Sequence, residues 1–293
     1  MLIDIHTHVT PTATVTRPNG STYCTPEQLL KKLDESKIDK AVLLPAISPE
    51  YAHRRVTPED VIEIAARHPE RFIPFCNLDP RMVRNSPDAD FMPLLEYYKK
   101  AGCRGVGEIT ANMPFDDAMV WNMLGQCEKA GMPLTFHIGP RAGGCYGLID
   151  DLGLPRLEKT LKQFPKLIFL GHSQPFWAEI SADVTNETRN GYPKGKVTPG
   201  RVVELMRKYP NLHGDLSANS GFNALSRDAE FCYSFTEEFQ DRLYFGTDIA
   251  SPDTETPLAD FLRGARRDGT ISREACEKIG WRNANRLLGL GLE

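Results

Sequence analysis

Residues 154–173, LPRLEKTLKQFPKLIFLGHS, combine a helix pattern with a strand pattern. In the first half, RLEKTLKQF, leucines and other apolar residues recur every three or four positions, as in an amphipathic helix. In the second half, LIFLGHS is a short, mostly apolar run, which is typical of a strand buried on both faces of a parallel sheet. The stretch therefore predicts one helix–strand unit of an α/β protein.

The same kind of apolar run recurs along the chain. There are eight such runs, at residues 2–9, 40–46, 72–78, 103–110, 133–139, 167–173, 212–218 and 243–249. Helix signals lie between them: TPEQLLKKL, TPEDVIEIA and TPGRVVELM each offer Thr as the N-cap and Pro as the first helical residue. This alternation predicts a (β/α)8 TIM barrel that forms a single domain over residues 1–293. An open doubly wound sheet is the alternative, disfavoured because no GxGxxG turn follows the first run.

Composition and charge narrow the classes of function. A net charge of −4, with no cluster of Lys and Arg, argues against a nucleic-acid-binding surface. No apolar stretch is long enough to cross a bilayer and no leader pattern is present, so we expect a cytoplasmic protein without membrane contact. The seven cysteines form no CxxC pair, which favours free thiols. We expect a small-molecule substrate as the partner and allow for a homodimer.

Polar residues mark the carboxyl ends of the predicted strands, where a (β/α)8 barrel carries its active site. His6 and His8 end the first run, and their i, i+2 spacing places them on one face of a strand together with Asp4. The ends of later runs add four further side chains, which are Glu108, His137, His172 and Asp248.

Each of these residues has a structural explanation of its own. A single buried histidine can fill a core, Asp248 can cap a helix, and Glu108 can pair with an arginine. Their convergence at one end of a barrel instead favours a metal site, because Zn²⁺ accepts imidazole nitrogen and carboxylate oxygen and leaves a position for water. Of the other histidines, His53 and His68 are expected to be solvated, and His213 to be structural.

The motifs resemble those of the amidohydrolase superfamily, in particular its amidohydrolase-related (type 2) branch. The similarity lies in HxH at His6 and His8, the histidine at position 137, GH at His172 and GTD at Asp248, in this order along nearly the whole chain. The resemblance implies that His6, His8, His137 and Asp248 bind a divalent metal, most often zinc. It also implies that His172 binds a second ion or acts as a proton donor beside the first.

The chain departs from this pattern at the end of the fourth run. Many relatives carry a carboxylated lysine there, which bridges two ions, and this chain has Glu108. Glu108 is included among the candidate metal ligands; it could bridge two ions, hold substrate or act as a base. The number of ions, one or two, stays open. A single tightly held ion with Glu108 close to it is the preferred interpretation.

The resemblance implies two classes of reaction. In the first, metal-activated water attacks an ester, lactone or amide of a small organic substrate, Asp248 accepts the proton and His172 stabilises the oxyanion. In the second, the enzyme is a decarboxylase or hydratase of a small aromatic or unsaturated carboxylic acid. A catalytically inactive barrel that only binds a ligand is disfavoured, because every expected metal position is present.

Loop residues supply the candidate substrate contacts. Arg141 directly follows the fifth run and is the best placed of the loop arginines to bind an anionic substrate; the others are Arg54, Arg55 and Arg189. Tyr146 and Trp177 are candidates for an apolar wall, or else pack their loops onto the barrel. The Gly-rich segment 141–147 and the long segment 174–198 are expected to be mobile lids.

Overall fold

The strands of the protein follow the predicted runs. The computed structural model describes residues 1–13, 15–17, 20–51 and 54–293, so His53 lies outside the described residues. Each predicted run contains a strand, and one short strand, β6, is additional. The strands are β1 Ile3–Thr7, β2 Lys40–Leu43, β3 Phe72–Pro74, β4 Val106–Ile109, β5 Leu134–Gly139, β6 Leu148–Ile149, β7 Phe169–His172, β8 Leu212–Asp215 and β9 Leu243–Tyr244.

Parallel pairing orders these strands around a barrel. One sheet has the order β1-β2-β3, and the other has the order β4-β5-β7-β8-β9 with β6 paired to β5. Backbone hydrogen bonds join the two sheets at both seams. The N–H of Gly107 donates to the carbonyl of Cys76 at 2.8 Å, and the N–H of Asp248 donates to the carbonyl of His6 at 2.9 Å. The prediction of a single-domain (β/α)8 barrel is confirmed.

Helices connect the strands and cover the outside of the barrel. Thr25 and Thr57 are the N-caps that their Thr-Pro motifs predict, and each forms a capping box with the residue three positions later, Gln28 and Asp60. No helix in the described ranges is long and apolar enough to cross a membrane. The helices are α1 Pro26–Glu35, α2 Pro58–Arg67, α3 Met92–Lys100, α4 Ala118–Ala130, α5 Pro155–Gln163, α6 Gln174–Ala178, α7 Arg201–Lys208, α8 Ala218–Ser226, α9 Ala229–Phe239, α10 Pro257–Asp268, α11 Arg273–Glu277 and α12 Asn283–Leu288, with a π-helical turn at Lys278–Arg282.

The third Thr-Pro motif behaves differently from the first two. The helix α7 begins after Gly200, so Thr198 is not its N-cap. Instead, the carbonyl of Thr198 accepts a hydrogen bond from the N–H of Ala182 at 2.8 Å, and Pro199 pairs with Ser181 in an antiparallel bridge. This backbone pairing holds the residues before the helix in an extended conformation, which delays the helix start.

Alternation along β5 separates its apolar face from the face that carries a candidate ligand. Phe136 on β5 packs edge-on against Phe115 and Phe176, with ring centroids 5.1 Å and 5.8 Å apart. Because successive side chains of a strand point to opposite faces, His137 next to Phe136 faces away from this aromatic layer. The aromatic core thus fixes the orientation of a candidate ligand one residue further along the strand.

Candidate metal centre

Four side chains at the carboxyl end of the barrel form a first donor group, which consists of His6, His8, Glu108 and Asp248. The Nε2 atoms of His6 and His8 lie 3.1 Å apart. Oε2 of Glu108 lies 3.7 Å and 3.6 Å from these two nitrogens, and Oδ1 of Asp248 lies 3.6 Å and 3.4 Å from them. Ligands held at about 2.0–2.2 Å by one tetrahedral zinc ion lie about 3.4 Å apart. The spacing around the two histidines therefore fits a divalent ion.

The other carboxylate oxygen of Glu108 faces a second donor group, which consists of Glu108, His137 and His172. Oε1 of Glu108 lies 2.7 Å from Nδ1 of His137 and 3.8 Å from Nε2 of His172. Donor atoms of these three residues all lie within 4.8 Å of one another. The structure thus places His137 beside His172, and not in the first donor group with which the resemblance associates it.

Close approach of β4 to β5 positions Glu108 between the two groups. Gly107 has φ +133°, and a Cβ at this position would lie 2.5 Å from the carbonyl oxygen of Thr135 on β5. Glycine is therefore required next to Glu108. The carbonyl of Glu108 also accepts a hydrogen bond of 2.8 Å from the side-chain amide of Asn77, which fixes the strand end.

Backbone and side-chain contacts to β1 hold Asp248 at the site. Asp248 adopts a left-handed conformation with φ +58°, which is rare for a residue other than glycine. The adjacent Thr247 donates its N–H and its hydroxyl to the carboxylate of Asp4, at 3.0 Å and 2.5 Å. Asp4 therefore serves as the buried acceptor that ties the Asp248 loop to β1, and burial raises its pKa to about 7.

Asp215 is a site residue that the sequence analysis missed. Its Oδ2 lies 2.6 Å from Nδ1 of His6, and both side chains are fully buried. Burial opposes a charge on His6, but Asp215 and then Glu108 outweigh this effect and raise the pKa of the imidazole. Asp215 ends β8 at the position where the other strands carry their candidate ligands, so its place in LHGDLSA was a usable signal.

His172 is oriented by a neighbouring hydroxyl. Its Nδ1 lies 2.8 Å from Oγ of Ser217, and its Nε2 is the atom that faces Glu108. Burial, followed by the proximity of His6, lowers the pKa of His172 to about 4. The imidazole is therefore neutral near pH 7, which is the state that binds a metal ion.

Two tyrosines lie over the donor groups. The ring of Tyr146 lies 4.4 Å from that of His137, and the ring of Tyr51 lies 4.8 Å from Tyr146 and 5.6 Å from His8. Tyr146 lines a cavity of about 490 Å³ together with His137 and the loop after β5. Tyr51 has no counterpart in the sequence analysis, because it belongs to an irregular loop with no strand-end or motif signal.

The candidate arginines differ in their surroundings. Arg141 is exposed in the loop after β5, where the sequence places it, and Arg55 is also exposed. Arg54 is half-buried. Arg189 is 2% exposed and lies 2.8 Å from the equally buried carboxylate of Glu179, so its charge is neutralised inside the protein. Arg189 is therefore not available to bind an anionic substrate.

Two buried side chains attach segment 174–198 to the rest of the protein. Trp177 is 2% exposed, and its indole N–H donates to the carbonyl of Asp215 at 2.8 Å. This side chain fixes the backbone of β8 and does not form a wall of the substrate cavity. The ion pair of Arg189 and Glu179 joins two parts of the same segment. Nη1 of Arg189 also donates to the carbonyl of Asp150 at 3.0 Å, which ties the segment to the loop after β6. These contacts anchor the segment at Trp177 and Arg189, and lid motion stays a prediction.

The two donor groups together form a histidine–carboxylate cup at the carboxyl ends of the barrel strands, which is where (β/α)8-barrel enzymes carry their active sites. The chain belongs to the amidohydrolase family, whose model matches residues 3–290. The resemblance seen in the sequence is therefore confirmed. No curated protein matches the chain in sequence.

Solved structures share the fold at low sequence identity. An uncharacterized TIM-barrel protein from Bordetella bronchiseptica is 18% identical, with a TM-score of 0.68 and 98% of each chain covered. A dihydroxybenzoic acid decarboxylase from a Polaromonas species, with bound manganese and the inhibitor 2-nitroresorcinol, is 17% identical, with a TM-score of 0.62 and coverage of 100% of this chain and 98% of that chain. A putative 2-pyrone-4,6-dicarboxylic acid hydrolase from Pseudomonas putida is 13% identical, with a TM-score of 0.63 and the same coverage.

Proposed function

We propose that the protein is a metal-dependent hydrolase that cleaves an ester, lactone or amide of a small organic substrate. The observation that carries this proposal is the position of Glu108, whose two carboxylate oxygens face two separate donor groups. A carboxylate in this position suits a bridge between two ions, and paired ions are a recurrent feature of hydrolytic metal sites. We therefore propose the bridging role in place of the single-ion interpretation that the sequence favours.

The donor chemistry supports zinc as the first choice of metal, with manganese as the alternative because one enzyme of the same fold holds it. When bound, a divalent ion acts as a Lewis acid and lowers the pKa of water from 15.7 towards about 7. His6, His8, Glu108 and Asp248 would hold one ion, and Glu108, His137 and His172 the other.

The protein's own groups divide the remaining tasks. Asp248 is the candidate base, because its side chain is 31% exposed and lies at the mouth of the cup, where water and substrate reach it. It would take the proton of the attacking water and return it to the leaving group. His172, neutral and fixed by Ser217, would hold an ion with its Nε2 atom, and the charge of that ion would stabilise the oxyanion. Arg141 and Tyr146 are the proposed contacts to the rest of the substrate.

Metal analysis of wild type and Glu108→Gln tests the bridging role. We expect about two equivalents of metal in the wild type and one or fewer in the variant, because the amide has only one oxygen to offer. Hydrolysis of a panel of esters, lactones and amides would then be measured on both proteins. One equivalent in both proteins would contradict the bridge and with it the argument for hydrolysis.

A decarboxylase of a small aromatic acid is the second candidate function. It is favoured by dihydroxybenzoate decarboxylases that share the fold over 98% or more of both chains. In this reaction, Asp248 or His172 would protonate the carbon atom that loses CO₂. Release of CO₂ from hydroxybenzoates by the metal-loaded protein, without hydrolysis of any ester, lactone or amide, would select this function over the first.

A further inference from the structure

Tyr51 lies at the mouth of the first donor group and offers a free hydrogen-bond donor. Its ring lies between those of His8 and Tyr146, at 5.6 Å and 4.8 Å. Within the described residues, no hydrogen bond to its hydroxyl is found. A phenol O–H group can donate one hydrogen bond. A protonated phenol beside a metal cup is suited to bind an oxygen anion.

The loop that carries Tyr51 is held by the residue before it. The carboxylate of Glu50 accepts two hydrogen bonds from the guanidinium of Arg81, which are 2.6 Å for Nη1 and 2.9 Å for Nη2. Glu50 also lines the 490 Å³ cavity together with His137 and Tyr146. The attachment to Arg81 therefore lies one residue from Tyr51 and at the rim of the same cavity.

The guanidinium group of Arg81 also holds a second carboxylate, that of Asp79. Its Nε and Nη2 atoms donate to Oδ1 and Oδ2 of Asp79 at 2.7 Å and 2.6 Å. Asp79 is nearly buried and also accepts a hydrogen bond of 2.8 Å from the hydroxyl of Ser48, in the loop of Tyr51. Two hydrogen bonds from Arg81 to Glu50 thus connect the loop after β3 to the loop after β2, and Asp79, which Arg81 holds in place, adds a third through Ser48. A lysine cannot reproduce this arrangement, because an ammonium lacks the planar fork.

We propose that Arg81 is a positioning residue that acts through Glu50 to fix Tyr51 over His8, where the Tyr51 hydroxyl binds an oxygen anion of the substrate. This inference rests on the proposed metal-dependent function, since it assigns a role at the same cup. Tyr51 is the residue that would contact substrate, and Arg81 determines its position without touching the reacting atoms. The proposal adds two residues from the loops after β2 and β3 to a site otherwise built from strand ends.

Binding of salicylate, a planar hydroxy acid, to the metal-loaded protein tests the proposal without any turnover. We expect Tyr51→Phe and Arg81→Gln each to raise the Kd about tenfold, and the double variant to be no weaker than the weaker single variant, since both act through one contact. Arg207→Gln is the matched control, because Arg207 makes a similar two-bond pair with Glu238 on the surface between α7 and α9. We expect this control to leave the Kd unchanged.

Companion measurements separate positioning from loss of the fold. The metal content of Arg81→Gln should match that of Arg207→Gln, and its unfolding should stay cooperative with a Tm above the assay temperature, although loss of the partner of buried Asp79 lowers that Tm. Glu50→Gln should raise the Kd as Arg81→Gln does, without altering Arg81. Additive effects in the double variant, an unchanged Kd in Arg81→Gln, or absence of salicylate binding by the wild type would overturn the proposal. If the coupling is found but no ester, lactone or amide is hydrolysed, the hydrolase proposal fails and the role of Arg81 stands.

Discussion

Oδ2 of Asp215 lies 2.6 Å from Nδ1 of His6, and this contact is fully enclosed by protein. It directs the Nδ1 proton of the imidazole to the carboxylate and leaves Nε2 free to face His8 and Glu108. A carboxylate behind a histidine fixes the tautomer and makes the imidazole a stronger ligand. Asp215 therefore belongs to the site although it need not touch an ion itself.

Replacement of Asp215 by Asn should weaken metal binding and leave the fold intact. The amide keeps the shape of the side chain but loses the negative charge that holds the Nδ1 proton of His6. We expect about a 10- to 100-fold loss of metal affinity, the usual effect of removing such a partner. Competition with a chelator measures this loss, and the exposed Asp183→Asn serves as the control. Equal affinities in Asp215→Asn and wild type would show that the contact does not tune His6.

Replacement of Asp248 by Asn should nearly abolish turnover. The amide can neither accept the proton from water nor return it, and loss of a general base costs about 100- to 10,000-fold. Asp248 is partly exposed and its backbone hydrogen bond to His6 is kept in the variant, so we expect an unchanged Tm. Turnover of the best substrate found for the wild type, measured at saturation, checks this prediction. Normal turnover in Asp248→Asn would assign the base to another residue.

The strand-end ligands could be predicted from the sequence because two general rules locate them. Alternation along β1 puts His6 and His8 on one face, and the barrel rule puts the functional residues at the carboxyl ends of the strands. Asp215 obeys the same rule and could have been found in the same way. Its run also carries His213 at an earlier position, and Asp215 is followed by the weakly polar LSA, so the residue lacks the histidine-containing motif that marks the ends of β1, β5 and β7.

The loop residues could not be predicted because their burial depends on distant partners. Arg189 is an unremarkable loop arginine in sequence, and only the fold brings it to Glu179. Trp177 faces β8 because its indole N–H meets the carbonyl of Asp215, which lies 38 residues away. Tyr51 likewise depends on Arg81, 30 positions further on, for the attachment of its loop through Glu50. No periodic pattern or motif encodes these contacts.

The pair of Arg189 and Glu179 should be important for stability. Removal of the guanidinium in Arg189→Met leaves the carboxylate of Glu179 buried without its partner, and breaking a buried pair costs about 3–5 kcal/mol. Urea unfolding at pH 8 measures this change. The exposed pair of Arg207 and Glu238 is the control, for which we expect about 0–1 kcal/mol in Arg207→Gln. Similar losses in both variants would contradict the assigned role of the buried pair.

His213 should make the stability of the protein sensitive to acid. Its Nδ1 atom lies 2.9 Å from the hydroxyl of Tyr244, and burial followed by the charge of Arg242 lowers its pKa from 6.5 to about 4. Between pH 6.5 and pH 4, the imidazole of His213 therefore binds a proton in the unfolded chain but not in the folded protein. The contribution of His213 to the free energy of unfolding is therefore complete above pH 6.5. It is lost as the pH falls towards 4, by about 3 kcal/mol in total.

The variant His213→Gln isolates this contribution from that of the other histidines. Urea unfolding of wild type and variant at pH 7.5 and pH 4.5 gives two differences in the free energy of unfolding. We expect the wild type to lose about 2–3 kcal/mol more than the variant over this interval, because only in the wild type does the unfolded chain bind a proton at this position that the folded protein excludes. His68→Gln, at the end of α2, is the control and should retain the wild-type loss. Equal losses in wild type and His213→Gln would mean that His213 titrates alike in the folded and unfolded chains.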